Sequence, residues 1–470
     1  MSGMGSEARA GRVGRRTLVR AALGCAVAGG ALTLLPDGSG RPAGPAAGPE
    51  ARARSVAAGG LPAALPDLVA LISDLEPYLR DRPSDGRAWA VLGTAYGERG
   101  RRTGGLADYA RAEDALRTSL RVRPRANPEA FGGLAELAVA RRDFRAAKRW
   151  GEEAVRLAPD RWLSYPPLVD AYDGLGDHRA ARRLLVRLSG LRSGPVVPAL
   201  AARARGDRRA REGAAAALAD VAARAKDPAE RAAHLLRAGE LAWERGDRER
   251  ALRCCAAALR DAPDTHAAQA GRARALAALG RVREATGAYR AALRSYPAPG
   301  YALELGELYE ARGHREAARE QYRAVRTAVR EEAAAGVNGA LVLGRLEADH
   351  GDPEVAVRGL RAEWRRQPGL AVADALGWAL HRAGRDEEAL PYAGRATDRT
   401  RTGEVRGAPY LHHLGTIEAA LGLDGPARRH LTEALRVNPY FSPLHAPAAR
   451  TALARLGEPP EVGPAVDLPG

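Results

Sequence analysis

His412 and His413 stand side by side in this 470-residue chain, and with His381 and Arg382 they are the residues whose types and spacing come nearest to chemistry. An imidazole beside a guanidinium suits proton transfer. Neighbouring helical residues point in different directions, however, so His412 and His413 cannot share one metal without a third element. Cys254 and Cys255 are also adjacent, badly placed for a strain-free disulfide, and read as small apolar packing residues. The two lysines, Lys148 and Lys226, are followed by Arg149 and Asp227, which excludes the Gly-Lys-Ser/Thr of a phosphate loop. No serine sits in a G-x-S-x-G turn, and neither C-x-x-C nor H-E-x-x-H occurs. The sequence thus reads as non-enzymatic, with no metal or cofactor, and its chemistry as that of binding.

The elements that must position such residues are helices. Hydrophobic residues make up 46% of the chain but aromatics only 5%, and Ala supplies nearly half of the apolar count, which favours close helix packing over strands. The length exceeds the ~100–200 residues of one compact domain, so several domains or one repeat array is required. Prolines that close helical segments fall at Pro124, Pro159, Pro195, Pro228, Pro263, Pro297, Pro368 and Pro439, separated by 35, 36, 33, 35, 34, 71 and 71 residues. A second ladder of small residues runs through Ala112, Ala147, Ala181, Ala251, Ala285, Ala318, Ala356, Ala389 and Ala427 with the same period. Two ladders of one period define a repeat, each unit of which exposes an apolar face until its neighbours cover it.

Trp89, Leu92, Gly93 and Tyr96 open the first clear unit, and Leu305, Gly306 and Tyr309 repeat the pattern, as do Leu343-Gly344, Leu376-Gly377 and Leu414-Gly415. Ala238-Gly239 and Leu134-Ala135 are weaker versions. These residues resemble the tetratricopeptide repeat (TPR) family. A Gly or Ala where two helices cross lets the backbones approach, while a large residue on the next turn fills the gap. The resemblance implies an all-α fold, an α-solenoid in which about nine clear units and one divergent unit stack as antiparallel helix pairs in a right-handed superhelix. The divergent unit runs from about Val197 to Asp227, Leu68 to Arg80 caps the start, and Ser442 to Leu456 closes the end. The expected solenoid is 61–457, with a disordered Pro-rich tail at 458–470. Two departures stand out: extra residues from Arg101 to Leu106, and Glu363 where a small residue is usual.

The resemblance further implies a protein or peptide partner held on the concave side, lined by first helices. Down that face the early and middle units present Glu98, Glu136, Asp170, Asp173, Glu240, Glu244, Glu307 and Glu310, interleaved with Leu236, Trp243 and Leu303. The last units present Leu341, Arg345, Trp378, His381, Arg382 and His412 instead. The expectation is a groove that takes a basic or amphipathic segment, with Trp243 and Trp378 as aromatic anchors. The alternative is a solvated face whose carboxylates pair with neighbouring arginines. Some relatives grip a carboxylate tail with Lys and Asn, but Ala90, Thr94, Gly132 and Glu136 stand at the matching positions and do not support that clamp.

A formal charge of +16 raises nucleic acid as a partner. The excess is almost all Arg in a chain crowded with Ala, Gly and Pro, a pattern expected of a GC-rich bacterial genome. No aromatic residues alternate with the basic ones to stack bases. The alternative to an exported scaffold is a cytosolic regulator or a helical-repeat RNA binder. At the start, Arg9, Arg12, Arg15, Arg16 and Arg20 precede the uncharged run Ala21 to Leu35 and then Pro36. Arg15, Arg16 and Leu18 resemble the twin-arginine export motif, so 1–35 is expected to be an export signal or membrane anchor. Fifteen uncharged residues fall short of the ~20 that span a bilayer comfortably. Cys25 lies too close to Arg20 to favour lipidation, and 36–60 reads as a Gly/Pro/Ala linker.

Overall fold

In the computed structural model of the chain, residues 64–191, 208–398 and 407–457 are described. The export-type segment, the linker and the tail expected at 458–470 lie outside them. A capping helix α1 (Leu65–Asp81) is followed by the pairs α2 (Gly86–Thr103) with α3 (Leu106–Val122), α4 (Pro128–Ala140) with α5 (Phe144–Leu157), and α6 (Tyr165–Gly174) with α7 (His178–Leu191). A single helix, α8 (Arg208–Arg224), is the second helix of the divergent unit. Then come α9 (Pro228–Glu244) with α10 (Arg248–Asp261), α11 (His266–Ala278) with α12 (Val282–Ser295), and α13 (Pro299–Glu310) with α14 (Arg315–Ala334). The last pairs are α15 (Ala340–His350) with α16 (Pro353–Arg366), α17 (Leu370–Arg382) with α18 (Asp386–Thr397), and α19 (Ala408–Ala420) with α20 (Asp424–Val437), closed by α21 (His445–Leu456). The chain is an all-α solenoid, with nine helix pairs among the described residues. No helix among them is long and apolar enough to cross a membrane.

The two ladders have direct packing causes. All nine alanines of the small-residue ladder are at most 2% exposed, at the points where a second helix meets its neighbours. Opposite them a Cβ on Gly306 would overlap the ring of Tyr322, and one on Gly415 would sit 2.9 Å from Leu431. The missing side chain in the first helix is therefore filled by a large one from the second. Asp143, Asp227 and Asp247 cap the helices that follow them by accepting from backbone N–H groups three residues on. Between the helices of a pair the chain turns through a left-handed residue: Gly176, Gly246, Gly280, Gly313, Gly384 and Gly422 hold φ between 73° and 77°.

In the second unit Arg142 takes that position at φ 57°, a conformation that costs an L-residue roughly 1–2 kcal/mol. Its side chain supplies the reason. The guanidinium reaches across the superhelix to Glu332 at 3.0 and 3.2 Å and to the Asn338 carbonyl at 3.0 Å. Partners here are 190 to 196 residues apart, about six units of ~34 residues, so successive turns of the superhelix touch.

The contact is a built seam. The Asn338 N–H donates to the Arg141 carbonyl at 2.9 Å. Gln367 donates to the Arg142 carbonyl at 3.0 Å and accepts from the Phe144 N–H at 2.6 Å. Arg145 reaches the Arg365 carbonyl at 3.0 Å. Further along, Asn438 donates to the Trp243 carbonyl at 2.8 Å and the Arg248 guanidinium lies 4.3 Å over the Tyr440 ring. Glu332, Glu363, Gln367 and Asn438 are among the few polar side chains that are buried, and all four serve this seam. The misfit Glu363 accepts from Asn338 at 2.7 Å and Gln367 at 2.6 Å, orienting both. The extra residues from Arg101 to Leu106 include Gly104, where a Cβ would meet the Tyr296 ring of the next turn at 2.6 Å. Both departures from the repeat pattern thus belong to inter-turn contacts.

Candidate functional site

With its turns in contact, the concave side becomes a lumen that holds a cavity of about 1080 Å³. First helices α9, α11, α13, α15, α17 and α19 contribute the wall, and the segment from Asn438 to Arg450 closes it. On α13 and its C-cap the lining residues include Gly300, Leu303, Glu304, Glu307, Leu308 and Ala311, the three- and four-residue spacing of one helix face. Trp243, Tyr410, Tyr440 and Phe441 add aromatic surface.

Most charges in the wall are already matched. Arg274 holds Glu304 through two bonds of 2.8 Å, and the Tyr289 hydroxyl donates to the same carboxylate at 3.0 Å. His178 meets Asp173 at 3.0 Å and His413 meets Asp374 at 2.9 Å. Asp349 accepts from the Trp378 indole at 2.9 Å and pairs with His445 at 3.3 Å and Arg382 at 3.5 Å. Burial alone would raise the Asp349 pKa, but the His445 and Trp378 hydrogen bonds outweigh it and hold the group well below the usual carboxylate range. The Glu307 side chain, between them, makes no hydrogen bond or ion pair among the described residues. Enclosure, with Asp349 and Glu304 close by, pushes its pKa up to about 7 against the pull of His445 and Arg345.

Of the residues expected in the groove, Asp173, Trp243, Glu244, Leu303, Glu307, Arg345 and Trp378 are brought together around this cavity. Glu98 and Glu136 lie earlier in the superhelix. Glu98 is held by Arg101 at 2.7 Å and Arg102 at 3.0 Å. Glu136 is exposed, and the protein around it, with Glu98 nearby, pushes its pKa up to about 7. Asp170 is half-buried, does not line the cavity and has an interaction of its own. Leu236 packs on Ala232, Ala258 and Ala268, and Glu240 pairs with Arg237 at 2.6 Å. Glu310 accepts from the Tyr322 hydroxyl at 2.7 Å and meets His350 at 3.1 Å.

The histidine cluster differs from expectation in one respect. His412 is 2% exposed, with its pKa pushed down to about 2 by burial, so it packs neutral inside the wall while His413 borders the cavity. His381 is occupied by Asp386 at 2.5 Å, and Arg382 by the Ala348 carbonyl at 3.3 Å as well as by Asp349. Trp378 is 6% exposed; His413 stacks on it with centroids 4.2 Å apart, so it offers a ligand its edge, not an open face. Among the described residues no three of His, Cys, Asp or Glu converge as a metal would require. Cys255 is buried under Gly239 and Gly271, and burial pushes its thiol up to about 12, where it is no nucleophile.

Tyr410, His413, Tyr440, Phe441, His445 and the Arg274–Glu304 pair were not expected in the site. Tyr410 occupies the first turn of α19, ahead of the Leu414-Gly415 landmark, and the rest of the aromatic wall comes from the 438–445 connection, which the period marks only as a link between units.

No protein-family profile and no curated protein matches the sequence. Solved structures similar to it include yeast Tom70, at 12% identity over 77% of this chain and 96% of that one with a TM-score of 0.32. Human IFIT1, solved as a dimer with PPP-AAAA, matches at 14% identity over 78% and 94%, TM-score 0.41. The APC/C hetero-tetramer Cut9-Hcn1 matches at 15% over 94% and 95%, TM-score 0.37. At such scores the assignment of the fold rests on the helix pairs themselves.

Proposed function

We propose that this chain is a non-enzymatic scaffold of tetratricopeptide type that holds an extended segment of a partner protein in its lumen. The supporting observation is the cavity of about 1080 Å³, built from first helices of successive units and walled by aromatic and carboxylate side chains. Its volume lies at the upper end of ligand pockets, ~300–1,000 Å³, which suits several residues of a chain better than one small molecule. The wall sets the carboxylates Asp173, Glu244, Glu304, Glu307, Asp349 and Asp374 against the arginines Arg182, Arg274, Arg312, Arg345 and Arg450, which leaves no basic excess to draw phosphate and so favours a polypeptide over RNA.

Gly300 provides a clean test, because it lines the cavity and a Cβ there meets nothing within 4 Å. Gly300→Trp should fill the lumen without disturbing the fold, and a pull-down of the full chain from its native cells should lose its partner. Gly359→Trp, on an exposed helix position with equal space, should keep it. Equal recovery by both variants would remove the lumen as the binding surface.

For its location, we propose delivery beyond the cytoplasm, supported by Arg15, Arg16, Leu18 and the uncharged run Ala21 to Leu35. Fractionation of a C-terminally tagged chain should find it outside the inner membrane, and an Arg15→Lys, Arg16→Lys variant retained inside. Both forms in the cytosol would end the export reading.

A further inference from the structure

We propose that Glu307 is the cation-recognition residue of the lumen, receiving the guanidinium or ammonium group of one arginine or lysine side chain of the bound segment. This rests on the reading of the lumen as the binding surface and specifies what it selects.

The other carboxylates of the wall are satisfied from within the protein. Asp173, Glu304, Asp349 and Asp374 each have a bonded histidine, arginine or tryptophan, and Glu244 also interacts. Among the described residues the Glu307 side chain makes no such bond, although it stands on the lining face of α13 one turn from Leu303 and Glu304. A carboxylate held in an enclosed space without a partner is unfavourable until a cation arrives, and a ligand that supplies one removes that penalty. The neighbourhood suits the apolar stem and charged head of a long basic side chain. Leu303, Leu308 and Val342 offer aliphatic surface, and Tyr410 and Tyr440 offer aromatic surface within the same cavity.

The charged groups that face Glu307 are Glu304 on its own helix, Arg345 and Asp349 on α15, and His445 on α21, with the titratable but neutral hydroxyls of Tyr289 on α12 and Tyr322 on α14 also within its field. Asp349 and Glu304 disfavour its ionised form, while His445 and Arg345 favour it, and enclosure decides the balance toward a raised pKa of about 7. A cation bound at Glu307 therefore displaces a proton at neutral pH and below. The sign follows: affinity for a ligand that stays charged throughout rises from pH 6 to pH 8.

The test uses the full chain and two short fluorescein-labelled peptides, one alternating arginine with alanine and one with glutamine in place of arginine, followed by fluorescence anisotropy. Wild type should prefer the arginine peptide, and Glu307→Gln should weaken that peptide at least about tenfold while leaving the glutamine peptide unchanged. The wild-type preference should grow between pH 6 and pH 8 and be flat in Glu307→Gln. Without peptide, Glu307→Gln should melt no lower than wild type and gain most at pH 8, where it removes an unpaired charge, so weaker binding is not a folding defect. Equal binding of the arginine peptide by wild type and Glu307→Gln overturns the proposal, as does the absence of any preference in wild type. The Gly300→Trp variant separates the two levels. If it abolishes peptide binding while Glu307→Gln does not, the lumen reading stands and Glu307 is not the selector. If neither variant alters binding, the lumen reading falls with it.

Discussion

Gly369→Ala separates the turns of the superhelix, and Gly359→Ala stabilises the chain. Gly369 holds φ −78° and ψ 165°, extended backbone open to any residue, so alanine brings no local strain. Its Cβ, however, would fall inside the van der Waals envelope of the Gly174 carbonyl oxygen on the neighbouring turn. A backbone oxygen cannot rotate away as a flexible side chain does. Relief comes from moving the turns apart, at a cost of about 1–3 kcal/mol, the range for overpacking. Gly359 lies inside α16 with open space around it, and alanine there should gain roughly 0.5–1 kcal/mol through helix propensity. Because unfolding of a repeat array need not be two-state, the reading should be local. Amide exchange at residues 141–147 and 365–369 should quicken in Gly369→Ala while α20 keeps its protection. Unchanged exchange across the seam would mean that the turns do not press together at this point.

Gln367→Ala attacks the same seam by removing bonds instead of adding bulk. Gln367 is 1% exposed and fully committed: its amide donates to the Arg142 carbonyl and Glu363, and its oxygen accepts the Phe144 N–H. Alanine leaves the Phe144 N–H without a partner and the Arg142 carbonyl with only the 3.5 Å bond from the Asn338 amide, and a buried orphan costs about 1–3 kcal/mol. The expected loss is about 3 kcal/mol, limited by the ease with which the seam opens and lets water satisfy the freed groups. Denaturant unfolding monitored by exchange should show residues 141–147 losing protection first. A loss under about 0.5 kcal/mol, the level of an ordinary surface change, would show that water already reaches these groups.

The repeat was legible because its cause is local. A buried Ala and a Gly facing a large residue recur wherever two helices cross, and the period of the prolines and alanines located the nine pairs and the divergent unit without reference to any distant contact. The seam was not legible in the same way. Its partners are 190 to 225 residues apart, brought together by small rotations accumulated over about six units, which no short motif encodes. What did appear in the sequence was its side effect. Glu363 broke the small-residue rule because Asn338 and Gln367 need an acceptor there, and the residues after Arg101 disturbed the spacing because Gly104 meets Tyr296. For the site, helix periodicity placed Leu303 and Glu307 on one face. It did not separate Glu307, left unpaired, from Glu310, which Tyr322 and His350 occupy, because their partners come from other helices. His412 was placed on the groove when its neighbour His413 holds that position, an error of one residue in helical register.

The enclosure of the lumen is most directly tested by the distance across the seam. Arg145 and Arg365 are exposed and lie on opposite turns, joined by one hydrogen bond of 3.0 Å. Spin labels on Arg145→Cys and Arg365→Cys, in a chain with Cys25, Cys254 and Cys255 replaced by alanine, would report that distance by pulsed dipolar spectroscopy. Touching turns predict one narrow, short distance that is independent of protein concentration and lengthens in Gly369→Ala. A broad distribution centred at long distance in the otherwise unaltered chain would show an open solenoid, and the enclosed cavity would go with it.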